Sequence, residues 1–188
     1  MLRSVKRFIP EEAKRFVGAD GKLQTTQQNL DFLVEHGLEV DNGRMIRISA
    51  GSELSRAATN YSVTVAYSPR HIIHPFDLRY FDPRGHPMAA MVRAKYAQKS
   101  QEEPLWIMVT AAGGSPAVVR SVTQRRFTRC LHDAFRELRS ESGPKRQVAR
   151  RMQGTLWITF HNPIKAARHS PERFGRVIAN GLVRYCSE

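Results

Sequence analysis

Two rhythms of apolar residues run along this chain. In residues 25–36, Leu30, Leu33 and Val34 recur at helical spacing, with Thr25 or Thr26 suited to cap the start and Gly37 to close the end. Residues 43–49 hold a brief strand-like pattern in Met45, Ile46 and Ile48. The period-two rhythm is clearest in residues 61–67, where Tyr61, Val63, Val65 and Tyr67 alternate with Ser62, Thr64 and Ala66, as in a strand with one buried face. Residues 105–110 and 154–161, rich in β-branched and aromatic side chains, predict two more strands. Between them and the first strand, Pro69, Pro75, Pro83, Gly85 and Pro87 break up residues 68–104. That stretch reads as a hairpin-like insertion, with a turn at 82–85 and a strand over 88–96. A last helix starts at Ser170 with Pro171 in its first position, and Phe174, Val177, Ile178 and Leu182 form its inner face. Strands interleaved with helices predict an α+β domain.

The most informative segment is 124–138. Phe127, Cys130, Leu131, Ala134, Phe135 and Leu138 supply an apolar stripe of the kind a helix laid on a core requires. On the opposite side Arg125, Arg129, His132, Arg136 and Arg139 fall within roughly 80° of one another at 100° per residue. A row of guanidinium groups about 20 Å long, fixed on a rigid rod, matches a run of backbone phosphates. A merely solvated charged face is the plainer alternative, but such faces usually carry acids among the bases.

Composition bears on that choice. The 188 residues carry 30 Lys and Arg against 17 Asp and Glu, a formal charge of +13. From Arg120 to Arg151 there are ten basic residues and three acidic ones, Asp133, Glu137 and Glu141. Like charge this dense needs a polyanion, and the preference for Arg, a flat fork of donors, favours nucleic acid over an anionic membrane. No apolar run reaches the roughly 18 residues needed to span a bilayer. The expected RNA-binding residues are therefore Arg125, Arg126, Arg129, His132, Arg136 and Arg139, with Arg120, Lys145, Arg146, Arg150 and Arg151 extending the footprint.

At its start, MLRSVKRFIP combines Arg3, Lys6 and Arg7 with Leu2, Val5, Phe8 and Ile9 and no acid, a mitochondrial targeting pattern or a basic arm that touches RNA. The expected organisation is an arm or targeting segment over 1–24 and one RNA-binding domain over 25–188, with the insertion at about 68–104. Cys130 and Cys186 have no metal or redox spacing and read as reduced thiols, Cys130 with a packing role. The carboxylates Asp31, Asp77, Asp82 and Asp133 are scattered, so no magnesium site for a protein nuclease is predicted. His71, His74 and His86 lack a nearby cysteine and read as loop histidines rather than zinc ligands. Gly113, Gly114 and Ser115 precede a helix without a P-loop lysine, which fits a connecting turn. No enzyme activity and no cofactor are expected.

Taken in order, these elements resemble the bacterial ribonuclease P protein family, the basic partner of a catalytic RNA. The likeness runs from about Thr25 to Arg184, apart from the insertion. NLDFLVEHG at 29–37 is similar to that family's first helix, YSVTVAY at 61–67 to its first long strand, and GTLWITFHNP with the Ser170 helix to its closing strand and helix. QRRFTRCLHDAFRE at 124–137 aligns without gaps to a family segment RNRxKRxxREAFRE: Arg125 and Arg126 take the Asn-Arg positions, Arg129 takes the last Arg of the Lys-Arg pair, and 134–137 match outright. Thr128 and Gln124 depart from the pattern, as does AAGGSPAV at 111–118 in place of a lysine-glycine stretch; Ala117 to Arg120 fit the family's Ala-Val-x-Arg only with a four-residue insertion.

The resemblance implies a two-layer α+β sandwich with a left-handed β-α-β crossover carrying the basic helix. It also implies that this helix contacts RNA while the open sheet face holds a single strand. Tyr61, Tyr67, Trp106, Trp157 and Phe160 are the sheet aromatics on which bases would stack, although Tyr61 and Tyr67 share the face of Val63 and Val65 and equally suit a core. The eroded signature, the insertion and the basic start point to RNA binding outside tRNA processing. The expected function is that of a non-catalytic, rRNA-binding protein of a mitochondrial ribonucleoprotein, either a ribosome component or an assembly factor in the matrix, beside neighbouring ribonucleoprotein subunits. The alternatives are a ribonuclease P subunit acting on precursor tRNA with a catalytic RNA, and a basic protein–protein adaptor.

Overall fold

A computed structural model describes residues 4–49 and 51–187. Its elements are α1 (Gln27–Glu35), β1 (Leu38–Glu39), β2 (Ile46–Arg47), α2 (Ser52–Asn60), β3 (Val63–Ser68), β4 (His71–Ile72), α3 (Ala89–Glu102), β5 (Leu105–Ala111), α4 (Ala117–Ser140), α5 (Pro144–Arg151), β6 (Gly154–Phe160), α6 (Pro163–Ala167) and α7 (Pro171–Ser187). The class is α+β, as the alternation of elements predicts. Four strands form a sheet in the order β2-β3-β6-β5, and β1 and β4 make a separate parallel pair. Gly154 N donates to Pro104 O and Ala112 N to Phe160 O, each at 2.8 Å, so the neighbours β5 and β6 run parallel, with α4 and α5 as their connection.

The chain packs as two compact units: Met1–Ile46 with Ser68–Trp106 and Gln153–Thr155, and Arg47–Tyr67 with Ile107–Met152 and Leu156–Glu188. This differs from the expected boundary at residue 24. Ala13, Phe16 and Val17 are buried in one cluster with Phe32, Leu38, Phe81, Tyr96 and Trp106, so the segment before residue 25 is anchored in the first unit's core rather than standing off as an arm. Residues 1–3 of the expected targeting segment lie outside the described residues. Those that follow are held down: Phe8 N donates to Asn42 Oδ1 at 2.8 Å, Asn42 Nδ2 donates to Phe8 O at 2.7 Å, and Arg7 grips Asp41 through Nε at 2.6 Å and Nη2 at 2.9 Å.

Two expectations within this unit are corrected. Helix α1 starts at the Thr26 cap, whose hydroxyl accepts from Asn29 N, but its inner face is Asn29, Phe32 and Leu33, while Leu30 and Val34 are exposed. The cause is polar: buried Asn29 donates to Thr25 Oγ1 at 2.8 Å and accepts from Arg93 at 2.6 Å, which satisfies it in the core and turns the helix by about one residue. The insertion is likewise no hairpin. A 3-10 stretch at Pro75–Phe81 precedes α3, in which Val92 and Tyr96, four residues apart, are buried, and the surrounding alanines favour a helix over the expected strand at 88–96.

Acid sensitivity belongs to this unit. The Asp82 carboxylate accepts from the Arg84 side chain and backbone N–H and is further stabilised by Arg15, which holds its pKa down to about 2; Asp41 is also lowered, first by Arg7. A carboxylate with a depressed folded-state pKa stabilises the fold above its ordinary value near 3.9 and loses that contribution as pH falls. The thermal midpoint should therefore drop as pH goes from about 4 to about 2, and Asp82→Asn should flatten part of that slope; melting curves across this range test it.

In the second unit α2, α4 and α7 pack together. Phe127 of α4 meets Phe160 of β6 at 4.6 Å, Phe174 of α7 at 5.1 Å and Tyr61 at 5.9 Å between ring centroids. Helices α4 and α7 approach closely at Gly175, where an added Cβ would lie 2.6 Å from Cys130 O. Gly175→Ala should therefore force the helices apart at a cost of about 1–3 kcal/mol, seen as a midpoint lowered by roughly 2–4 °C per kcal/mol. Tyr61, Tyr67, Trp157 and Phe160 are all buried here, as Trp106 is in the first unit, so none of these five presents a ring for a base to stack on. Their area is spent in the cores, and Trp157 Nε1 donates to Thr110 Oγ1 at 3.0 Å.

Candidate nucleic-acid interface

Helix α4 is a rod of 24 residues, about 36 Å long at 1.5 Å per residue. It starts at Ala117, seven residues before the predicted segment, directly after Pro116. Thr123, Phe127, Leu131, Ala134, Phe135 and Leu138 are buried on one side, with Cys130 half-buried at the edge. Burying that stripe fixes the helix's rotation, and the opposite side must then face solvent.

Arg125, Arg126, Arg129, His132 and Arg136 are all exposed there. At 100° per residue Arg125, Arg129, His132 and Arg136 lie within about 60° of one another over about 17 Å, with Arg126 on the flank. Among the described residues no acid forms an ion pair with Arg125, Arg126 or Arg129. Arg136 bonds Asp133 at 3.0 Å, with both groups in solvent, where such a pair contributes little and yields readily to a phosphate. The nearest acid of α7, Glu172, is turned to the Ser170 hydroxyl at 2.8 Å; its own backbone N–H and that hydroxyl hold its carboxyl below the usual range, with Arg126 and Arg176 adding to the effect. At the rod's start Val118 and Val122 are exposed, so the same face begins apolar and becomes cationic.

Not every predicted residue joins this face. Arg120 is half-buried and donates to Ser115 O, tying down the glycine-rich turn in which Gly113 takes φ +98°. Arg139 is half-buried and its Nε donates to Ala149 O at 3.4 Å; Lys145 donates to Asn180 Oδ1 at 3.2 Å. These three brace the fold. Arg146 is half-buried, and its buried Nε has no hydrogen-bond partner among the described residues. Arg150 and Arg151 are exposed at the end of α5 and form a second, smaller cationic edge.

Charge is divided unequally between the units. The second holds 17 basic residues against 6 acidic ones, the first 13 against 11. Part of that excess carries no helical or strand rhythm in the chain. Arg56, Lys165, Arg168, Arg173 and Arg176 come from α2, α6 and α7 and the turn between the latter two, and no periodicity collects them.

The other candidates resolve into local roles. His71 lies parallel to Trp106 at 4.4 Å and its Nε2 pairs with Pro104 O; His74 and His86 accept from the backbone N–H groups of Phe76 and Met88 through Nδ1. Among the described residues no group of three His, Cys, Asp or Glu is placed to hold a metal ion, and no helix is long and apolar enough to cross a membrane. Cys130 and Cys186 are unbridged, and burial raises both thiol pKa values.

No protein-family model matches the chain, and no match was found among curated proteins or solved structures.

Proposed function

We propose that the chain is a non-catalytic RNA-binding protein whose second unit lays the outer ridge of α4 along RNA phosphates. One observation carries this reading: Arg125, Arg126 and Arg129 stand exposed, and among the described residues none of them forms an ion pair, on a helix whose other side is locked into a core. The 17-to-6 charge ratio of that unit supports it, since such an excess is neutralised by a polyanion and releases counterions when it binds one. The setting we propose is a mitochondrial ribonucleoprotein, with rRNA as ligand and ribosomal subunits as neighbours. The basic, acid-free composition of the first ten residues is the support for that location, apart from Arg7, which the fold engages with Asp41.

The second reading is a ribonuclease P protein subunit, in which RNA carries the chemistry. The parallel β5–α4–α5–β6 connection favours it, because the resemblance implies such a crossover, and we propose a left-handed sense for it. Ultraviolet cross-linking in cells followed by sequencing of the attached RNA separates the readings. Ribosomal RNA with co-sedimentation on a subunit supports the first. Precursor tRNA or a catalytic RNA, with faster 5′ cleavage on adding the protein, supports the second. Absence of RNA with capture of an acidic protein would leave the adaptor.

A further inference from the structure

We propose that the cavity between α2 and α7 in the second unit binds a single nucleotide through its phosphate. The cavity measures about 170 Å³ and is lined by Glu53, Arg56, Asn60, Tyr61, His169 and Arg173 among others. Pockets for drug-sized ligands begin near 300 Å³, so this one suits a phosphate with part of one nucleoside and excludes a dinucleotide.

Its floor is fixed. The Tyr61 hydroxyl donates to Ser170 O at 2.8 Å, and the ring is held by Phe127 and by Phe174, whose centroid is 4.8 Å away. His169 tilts against that ring at 5.1 Å while remaining exposed, so a flat imidazole face borders the opening. Its rim is cationic. Arg56 and Arg173 project from different helices, both exposed, and among the described residues neither makes an ion pair. Glu53 lines the same cavity without pairing to either, and Glu172 beside Arg173 is engaged with Ser170.

Arg56 and Arg173 line one cavity with the exposed His169 ring, so two guanidinium forks are available to hold a phosphate and the imidazole to serve as the stacking partner. The Glu53 carboxylate and the Asn60 amide are left to bond ribose hydroxyls or base N–H groups. The same chemistry serves a nucleotide extruded from bound RNA or a free nucleoside monophosphate. As an RNA contact the site rests on the reading of α4; as a nucleotide site it stands independently.

The test titrates the full chain with AMP, GMP, inorganic phosphate and the unphosphorylated nucleosides, followed by calorimetry and by histidine and arginine side-chain NMR. The monophosphates should bind saturably and more tightly than phosphate or nucleoside alone. Arg56→Gln or Arg173→Gln should weaken binding about tenfold, as expected for losing one charge-assisted contact, with unchanged melting curves, and Arg125→Gln/Arg129→Gln should leave it intact. Competition by an RNA with an unpaired nucleotide assigns the site to RNA, and indifference to RNA assigns it to free nucleotide. Absence of saturable binding up to millimolar concentration, or equal binding by the Arg56 and Arg173 variants, overturns the proposal. Loss of RNA affinity confined to the Arg125/Arg129 variant leaves the α4 reading standing in that event.

Discussion

Replacing Arg125, Arg129 and Arg136 together with glutamine is expected to weaken RNA binding about a hundredfold near physiological salt, taking about 1 kcal/mol for each exposed contact. The dependence of log affinity on log salt should become shallower by about 0.7–0.9 per contact removed. Both effects follow from one geometric fact: the three side chains are exposed on one side of α4, where a phosphate run can meet them together. The triple variant should keep the parent's melting curve, since none of the three packs in the core and the ion pair lost among the described residues, Arg136–Asp133, lies in solvent. Changing Arg120 and Arg139 gives the contrasting result. Their guanidinium groups hold Ser115 O and Ala149 O, so substitution should lower stability and leave the salt slope near its original value. Filter binding or fluorescence anisotropy at four salt concentrations distinguishes the two sets.

Truncating Phe127 to alanine should cost about 3–5 kcal/mol, the range for emptying an aromatic site in a closed core. The ring is 1% exposed and is the junction of Tyr61, Phe160 and Phe174, so removing it leaves a void bounded by a strand and two helices. Phe127→Leu should retain most of the stability, since it keeps apolar volume. Urea unfolding followed by fluorescence reads the cost, with Trp157 reporting on the same unit and Trp106 on the other. RNA affinity should fall in step with the folded fraction of Phe127→Ala, because the burial of this stripe is what turns the arginines outward.

How legible the molecule is in its sequence depends on how much apolar area each element buries. The phase of α4 over 124–138 is readable because Phe127, Leu131, Phe135 and Leu138 are large, buried and helically spaced. Its first turns are not, because Val118 and Val122 are exposed and β-branched, which both breaks the stripe and lowers helix propensity. Helices α2 and α5 escape notice because their buried residues are few, Leu54 and Ala57 in one and Ala149 in the other. Helix α3 reads as a strand because Met88 to Val92 form a short unbroken apolar run that periodicity cannot assign, while the pair that decides its fold, Val92 and Tyr96, is spaced for a helix. Buried Asn29 misdirects α1, since a polar residue satisfied inside a core carries no hydrophobic signal. The cationic ridge is legible for the same reason as the stripe opposite it. The Arg56–Arg173 cavity is not, because it joins residues far apart in the chain that share no repeat.

The α4 ridge as an RNA surface is tested most directly by cross-linking the full chain to its RNA and locating the attached peptides by mass spectrometry. Cross-links are expected on residues 125–136 and should be lost in the Arg125/Arg129/Arg136 variant. Cross-links confined to the first unit, or none on α4 under conditions where RNA is bound, would contradict it.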